Sequence, residues 1–296
     1  GLMLSAAVFD IDSSKSLKGI PTQAWIELSP SNVAYSRCKA YNNLSVFYNS
    51  CNAHCAIEVY DKGDLIVTDT LNSDGLPHVF KWRFSTTPEK LKIIFKSTSS
   101  PIINAVSIEG DVGVQMSNIA MRGSSGTSFG VVDYRSMSFM HEELNTKLII
   151  LQFGGNSVPF FKDSSSVRGY AYRFRKQIEY LQRCAKDAAI IVIGPSDMAQ
   201  YKEGIYSTYE YLPYCVQQMK IQSLKAGASY WDLYDAMGGK NSMFAWVNNG
   251  LAGKDYVHFS HHGANKASQL FYNALISAYK QWEQSRIPEK KKIDEL

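Results

Sequence analysis

Near residue 110 the spacing of apolar residues changes period, so one chain must build two different kinds of structure. Upstream, residues 24–28, 44–48, 55–60 and 92–95 form short β-type runs with visible alternation. Asp61-Lys62-Gly63-Asp64 and Asn72-Ser73-Asp74-Gly75 stand between such runs. A two-residue repeat sends alternate side chains to opposite faces of a strand, and Gly beside Asn or Asp supplies the positive φ of a hairpin turn. Short strands at this spacing predict an all-β sandwich or jelly roll over residues 1–110. Its aromatics Trp25, Tyr35, Tyr41, Tyr48 and Trp82 can stack on sugar rings, although core packing is the commoner use of such residues.

Downstream, over residues 111–296, strand patterns alternate with helical ones. Residues 114–121, 148–153, 188–193 and 228–233 read as strands. Tyr170, Phe174, Ile178 and Leu181 recur at helical spacing, as do Leu270, Phe271, Ala274, Leu275 and Ala278. Strands alternating with helices predict a doubly wound α/β fold with a mostly parallel sheet. Functional loops of such sheets lie beyond the carboxyl ends of the strands. Gly123, Asn156 and Ser196 each follow a predicted strand immediately, so a site is expected there.

The segment with the most chemistry is Asp255-Tyr256-Val257-His258, directly before the last helical pattern. An Asp three residues ahead of a His at a helix entrance can set its carboxylate against the imidazole. It then holds one tautomer and stabilises the imidazolium that forms when the ring takes a proton. Two glycine-containing segments precede it: Arg122-Gly123-Ser124-Ser125-Gly126, and Gly154-Gly155-Asn156 after the apolar run 148–153. In this order the three segments resemble blocks two to four of the SGNH (GDSL-type) esterase and lipase family. The resemblance spans roughly residues 110–283. It implies a flavodoxin-like three-layer fold and acyl transfer from an ester to a serine, with no metal or other cofactor. His258 would be the base, Asp255 its orienter, and Gly123 N–H with the Asn156 side chain the oxyanion hole. Leu151-Gln152-Phe153-Gly154-Gly155-Asn156, Ile193-Gly194-Pro195-Ser196-Asp197-Met198 and Met237-Gly238-Gly239-Lys240-Asn241-Ser242-Met243 are similar to a secreted esterase branch of gut Bacteroidetes. In that branch a β-rich, carbohydrate-binding-module-like domain interrupts the hydrolase near its start. The implied substrate is an acylated polysaccharide or peptidoglycan, losing acetyl or a similar group. The implied location is periplasmic or secreted and bacterial, with lipoprotein anchoring compatible.

One block departs from the family pattern. Gly-Asp-Ser occurs nowhere in the chain, and near its start stands only Phe9-Asp10-Ile11-Asp12-Ser13-Ser14. A nucleophile on a sharp strand-to-helix turn needs the backbone freedom of Gly, and Lys18-Gly19-Ile20-Pro21 breaks the helix that should follow. The serine is therefore expected from a segment outside this chain rather than from Ser13. Ser124, Ser125 and Ser128 are expected to line the oxyanion loop. The resemblance also implies five parallel strands with the first internal, where four are counted. Either residues 3–9 fill that slot or another segment does, since an unfilled slot would expose backbone groups and apolar side chains. The alternative to an esterase is a non-catalytic glycan-binding protein on the same scaffold.

Other classes are excluded more simply. A net charge of +4, part of it in Lys290-Lys291-Lys292, is too small to argue for nucleic acid. No apolar run approaches the roughly 18–20 residues that span a bilayer. Cys51 and Cys55 flank His54 but lack the second ligand pair of a zinc site, and His261 and His262 read as exposed residues of a helix start. Asp197, Asp232 and Asp235 have no evident facing partner of the kind a glycosidase needs. Nothing in the pattern fixes an oligomeric state.

Overall fold

The computed structural model describes residues 2–4, 22–30 and 39–286. Contacts divide the chain into two units, Gly1–Ala120 with Asp133–Glu143, and Met121–Val132 with Leu144–Leu296.

The first unit carries β1 (Leu2–Leu4), β2 (Thr22–Pro30), β3 (Asn43–Asn49), β4 (Cys55–Asp61), β5 (Asp64–Leu71), β6 (His78–Arg83), β7 (Leu91–Ser97) and β8 (Ile102–Glu109), then the helix α1 (Tyr134–Glu143). Two antiparallel sheets form, in the orders β1-β2-β7-β4-β5 and β6-β3-β8. Alternation does its expected work. Ile57 and Val59 of β4, Leu91 and Ile93 of β7, and Leu44 and Val46 of β3 all bury into one cluster shared by both sheets. Each such side chain contributes about 1.5–3 kcal/mol through burial.

The β4–β5 hairpin turns through Lys62 and Gly63 at φ 51° and 102°. Asn72-Ser73-Asp74-Gly75 is not a hairpin turn. It carries the chain from β5 in one sheet to β6 in the other, with Gly75 at φ 76°. Among the aromatics, Tyr41 and Tyr48 are core residues, and the Tyr41 hydroxyl donates to the Pro88 carbonyl. Trp82 is half-buried against the core, and Trp25 lies under the Lys92 ammonium at 4.7 Å. Tyr35 lies outside the described residues.

The second unit begins with β9 (Leu148–Gln152), α2 (Ser164–Cys184) and β10 (Ala189–Ile193). The hairpin β11 (Ala199–Lys202) and β12 (Ile205–Thr208) follows, then α3 (Leu212–Lys225) and β13 (Ser229–Trp231). The short helices α4 (Leu233–Ala236) and α5 (Ser242–Asn248) and the long α6 (His261–Ser285) complete it. The strands β13, β10 and β9 lie side by side and parallel. Helix α2 starts on an Asp163 cap and buries all four predicted positions, Tyr170, Phe174, Ile178 and Leu181, while packing on β10 and α3. Ile193 and Ile150 join Leu233, Met243, Trp246 and Ala267 in a separate cluster with α4, α5 and α6. Helices thus cover the parallel sheet with two separate apolar clusters. Helix α6 buries less than its pattern promised: Leu270 and Phe271 are half-buried, while Ala274 and Ala278 stay exposed.

Two sequence expectations fail here for one physical reason. Residues 114–121 form no strand, and Val114 and Met116 are 99% and 82% exposed. The parallel sheet consequently has three strands among the described residues, not four. A strand exists only against a neighbour that takes its backbone hydrogen bonds. Among the described residues, 114–121 have none, and β9 pairs with β10 alone. Of residues 3–9, Met3 and Leu4 pair antiparallel with Ser29 and Leu28 of β2 and not with the parallel sheet; residues 5–9 lie outside the described residues.

Candidate active site

The candidate residues lie on two loops, one after β9 and one around Gly123, and on the turn that enters α6. At the carboxyl end of β9 the chain must bend sharply. Gly154 sits at φ 111°, and a side chain there would meet the Met219 sulfur at 2.8 Å. Only glycine fits both constraints. The bend leads into a single 3₁₀ segment, Gly155–Phe160, whose first turn carries Asn156. The Asn156 Nδ2 donates to the Ser124 carbonyl at 3.1 Å, joining the Gly155-Asn156 segment to the Gly123 loop. Two of the sequence-predicted elements are therefore in direct contact.

The Gly123 loop is shaped by φ 73° at both Gly123 and Gly126. A Cβ on Gly126 would fall 2.5 Å from the Phe153 ring, whereas Gly123 faces open space. The Tyr170 hydroxyl, on α2, donates to the Ser125 carbonyl at 2.8 Å and pins the loop to the helix. Tyr170, Phe153 and Gly126 do this positioning. Sequence reasoning gave them no such role, and the only available signal was the density of glycine and aromatic residues around 123–126 and 153–155. The Ser125 and Thr127 hydroxyls bond each other at 2.6 Å. The Ser124 hydroxyl accepts from Gly126 N–H at 3.1 Å, so two of the loop's serines are engaged locally.

The turn before α6 brings the predicted acid and base together. Asp255 Oδ2 lies 2.7 Å from His258 Nδ1. Asp255 Oδ1 accepts from the N–H groups of Val257 and His258 at 3.0 and 3.1 Å. The carboxylate is thereby fixed by backbone before it meets the ring. Partial burial pushes the Asp255 carboxyl up. The His258 ring and those two N–H groups more than offset this, and the net direction is down from the ordinary carboxylate range. A depressed folded value stabilises the fold above the unfolded carboxylate range, and that contribution is lost as pH falls through the folded value.

The His258 side chain is 82% exposed, and no hydroxyl among the described residues hydrogen-bonds its Nε2. A carboxylate and an imidazole in hydrogen-bond contact, and two glycine-shaped loops joined by Asn156, are present. A nucleophile on the base is not, among the described residues.

The remaining acidic candidates are structural. Asp197 is fully buried, accepting from the Thr208 hydroxyl at 2.8 Å and Met243 N–H at 2.9 Å; burial pushes its carboxyl up despite those bonds. Asp232 caps α4 through Asp235 N–H. Both His261 and His262 are exposed on the first turn of α6. Burial pushes the Cys55 thiol up to about 11, and among the described residues no group of three or more His, Cys, Asp or Glu is placed to hold a metal.

No protein-family model and no curated protein sequence matches the chain. Solved structures do. A peptidoglycan O-acetylesterase superposes over 90% of this chain and 72% of its own, with a TM-score of 0.61 at 20% identity. A putative GDSL-like lipase from Bacteroides ovatus aligns over 86% of this chain and 85% of its own, with a TM-score of 0.38 at 8% identity. A family two carbohydrate esterase from Clostridium thermocellum, in complex with cellohexaose, aligns over 95% and 100% with a TM-score of 0.29 at 12% identity. The last two superpositions are too loose to carry an argument. The first, at 20% identity, shows that the chain shares the fold of that structure, an α/β arrangement with a parallel sheet flanked by helices in this chain.

Proposed function

We propose that the protein is a serine ester hydrolase that removes acetyl or similar acyl groups from a carbohydrate, polysaccharide or peptidoglycan. The 2.7 Å contact between Asp255 and His258 supports this most directly, because a carboxylate held by two backbone N–H groups has one evident use beside an imidazole. His258 Nε2 takes the proton of a serine hydroxyl as that oxygen attacks the ester carbon, and returns it to the leaving alkoxide. Asp255 keeps the proton of Nδ1 in place and stabilises the imidazolium. Gly123 N–H and Asn156 Nδ2 donate to the oxyanion. A water deprotonated by the same base then releases the acid.

The serine comes from outside the described residues. Three separate observations accord with an additional strand-and-turn supplied there: among the described residues β9 is the edge of the parallel sheet, apolar side chains of 114–121 are exposed, and the His258 side chain is 82% exposed. Residues 1–110 then act as a jelly-roll-like carbohydrate-binding domain and residues 111–296 as the hydrolase domain of an exported bacterial protein.

The exposure of His258 favours a second reading, a glycan-binding protein on a scaffold that has lost its nucleophile. Acetate release separates the two. The protein with its native flanking sequence is expected to release acetate from O-acetylated peptidoglycan or acetylated xylan and to hydrolyse p-nitrophenyl acetate, while residues 1–296 alone do so poorly. Binding of the glycan with no acetate released by either form would establish the second reading. Robust turnover by residues 1–296 that vanishes in Ser13→Ala would place the nucleophile at Ser13.

Within the esterase, Asn156→Ala should lower kcat by about 10²–10³ with little change in KM, because the donor acts mainly on charge that develops in the transition state. Steady-state kinetics on p-nitrophenyl acetate checks this. An equal rise in KM with kcat unchanged would assign Asn156 to holding the Ser124 loop alone.

A further inference from the structure

The turn that presents the Asp255–His258 pair also carries Tyr256, and this residue is strained. Its φ is 58°, a left-handed conformation that bulky side chains seldom adopt. The strain accompanies a specific contact. Tyr256 stacks on Tyr206 of β12, with centroids 4.3 Å apart and planes at 28°, and Tyr206 meets its cross-strand partner Tyr201 of β11 at 4.8 Å. Phe244 of α5 closes the inner side of Tyr256 at 5.5 Å. From Tyr256, which packs against the cluster of Met243 and Trp246, the row runs outward: Tyr201 is 64% exposed and Tyr206 39%.

The row is anchored at its inner end. The Tyr256 carbonyl accepts from Ala199 N–H at 3.0 Å, which fastens the β11–β12 hairpin to the turn of the acid–base pair. Buried Asp197 holds the Thr208 hydroxyl at the end of β12 and Met243 N–H at the start of α5. Asn241 and Thr208 bond each other reciprocally, through Asn241 N–H to the Thr208 hydroxyl at 2.8 Å and Thr208 N–H to Asn241 Oδ1 at 3.2 Å. The hairpin is thus a fixed bracket rather than a free loop. It carries aromatic faces in its middle and Lys202 and Glu203, both exposed, at its tip.

We propose that Tyr201, Tyr206 and Tyr256 form a stacking platform for a pyranose ring of the saccharide chain, next to His258. The inference rests on the carbohydrate reading above and deepens it by naming the residues that hold the sugar. Size selects the occupant. A whole aromatic side chain presents about 150–250 Å², so three partly covered rings offer far less than the roughly 800 Å² per partner of a stable protein interface. Chemistry narrows it further. A sugar ring has apolar C–H faces and hydroxyl edges, matching aromatic faces flanked by phenol, ammonium and carboxylate groups. The short fixed link from platform to acid–base pair places a bound ring where an ester on a neighbouring position can reach His258.

The test is a titration of residues 1–296, followed by NMR of the tyrosine rings, with xylohexaose and with tetra-N-acetylchitotetraose. Saturable shifts of Tyr206 and Tyr256 are expected with at least one of them. Tyr201→Ala should weaken that binding about tenfold and Tyr201→Phe by much less, because the face rather than the hydroxyl carries the contact. Rings that do not shift with either oligosaccharide up to about 10 mM would overturn the platform, and so would binding that Tyr201→Ala does not weaken. Saturable binding at these tyrosines with no ester cleavage by any form of the protein would keep the platform and remove the esterase.

Discussion

His258→Ala should lower kcat for ester hydrolysis by about 10⁴ with KM nearly unchanged, the largest effect expected of any single replacement in this protein. In the proposed mechanism the His258 imidazole takes the serine proton and returns it to the leaving group, so its loss would remove both proton transfers together. Asp255→Asn should approach the same size, about 10³–10⁴, for a different reason. Asparagine keeps an oxygen to accept from the N–H groups of Val257 and His258, so the turn survives. Its amide nitrogen, however, would then face His258 Nδ1 and demand an acceptor there, which moves the ring proton to Nε2 and blocks the base. Steady-state kinetics of both variants, with circular dichroism to verify folding, checks the pair. An Asp255→Asn enzyme of full activity would mean that the carboxylate only shapes the turn.

The parts of the site legible in the sequence are those set by local geometry. Asp255 and His258 meet because three residues of one turn separate them, and the backbone N–H groups that fix the carboxylate belong to the same turn. Asn156 reaches Ser124 because two glycine-rich loops, one of them closing an apolar strand, are brought together by a parallel fold that places loops at one end. The hydrophobic period likewise marked α2, where the side chains at positions 170, 174, 178 and 181 are all buried.

What failed depended on partners distant in sequence. Residues 114–121 have the composition of a strand, but composition does not supply the neighbour a strand needs, and Val114 and Met116 remain exposed. Asn72-Ser73-Asp74-Gly75 has the chemistry of a turn, yet turn chemistry does not say whether the next strand pairs in the same sheet. The tyrosine row was invisible for the same reason. Tyr201, Tyr206 and Tyr256 come together only because the Tyr256 carbonyl takes the Ala199 N–H and because Asp197, read simply as a carboxylate without a facing acid, anchors the hairpin from within.

Phe174→Ala should destabilise the second unit by about 3–5 kcal/mol, the usual range for deleting a fully buried aromatic side chain. Phe174 has no exposed surface and sits in a row of rings, with Tyr170 at 6.3 Å and Phe153 at 6.2 Å. The cavity would not collapse easily, since α2 is capped at Asp163 and packed on both β10 and α3. The consequence should extend to the site. Phe153 supports Gly126 from below and precedes Gly154, while Tyr170 holds the Ser125 carbonyl, so Phe174 underlies both contacts that shape the Gly123 loop. Chemical denaturation should show a lower midpoint at unchanged slope. Hydrogen exchange should show faster opening of residues 123–126 and 154–156 than of the 255–258 turn. Equal loss of protection in both places would mean that the oxyanion loops and the acid–base turn open as one cooperative body, with Phe174 supporting them alike.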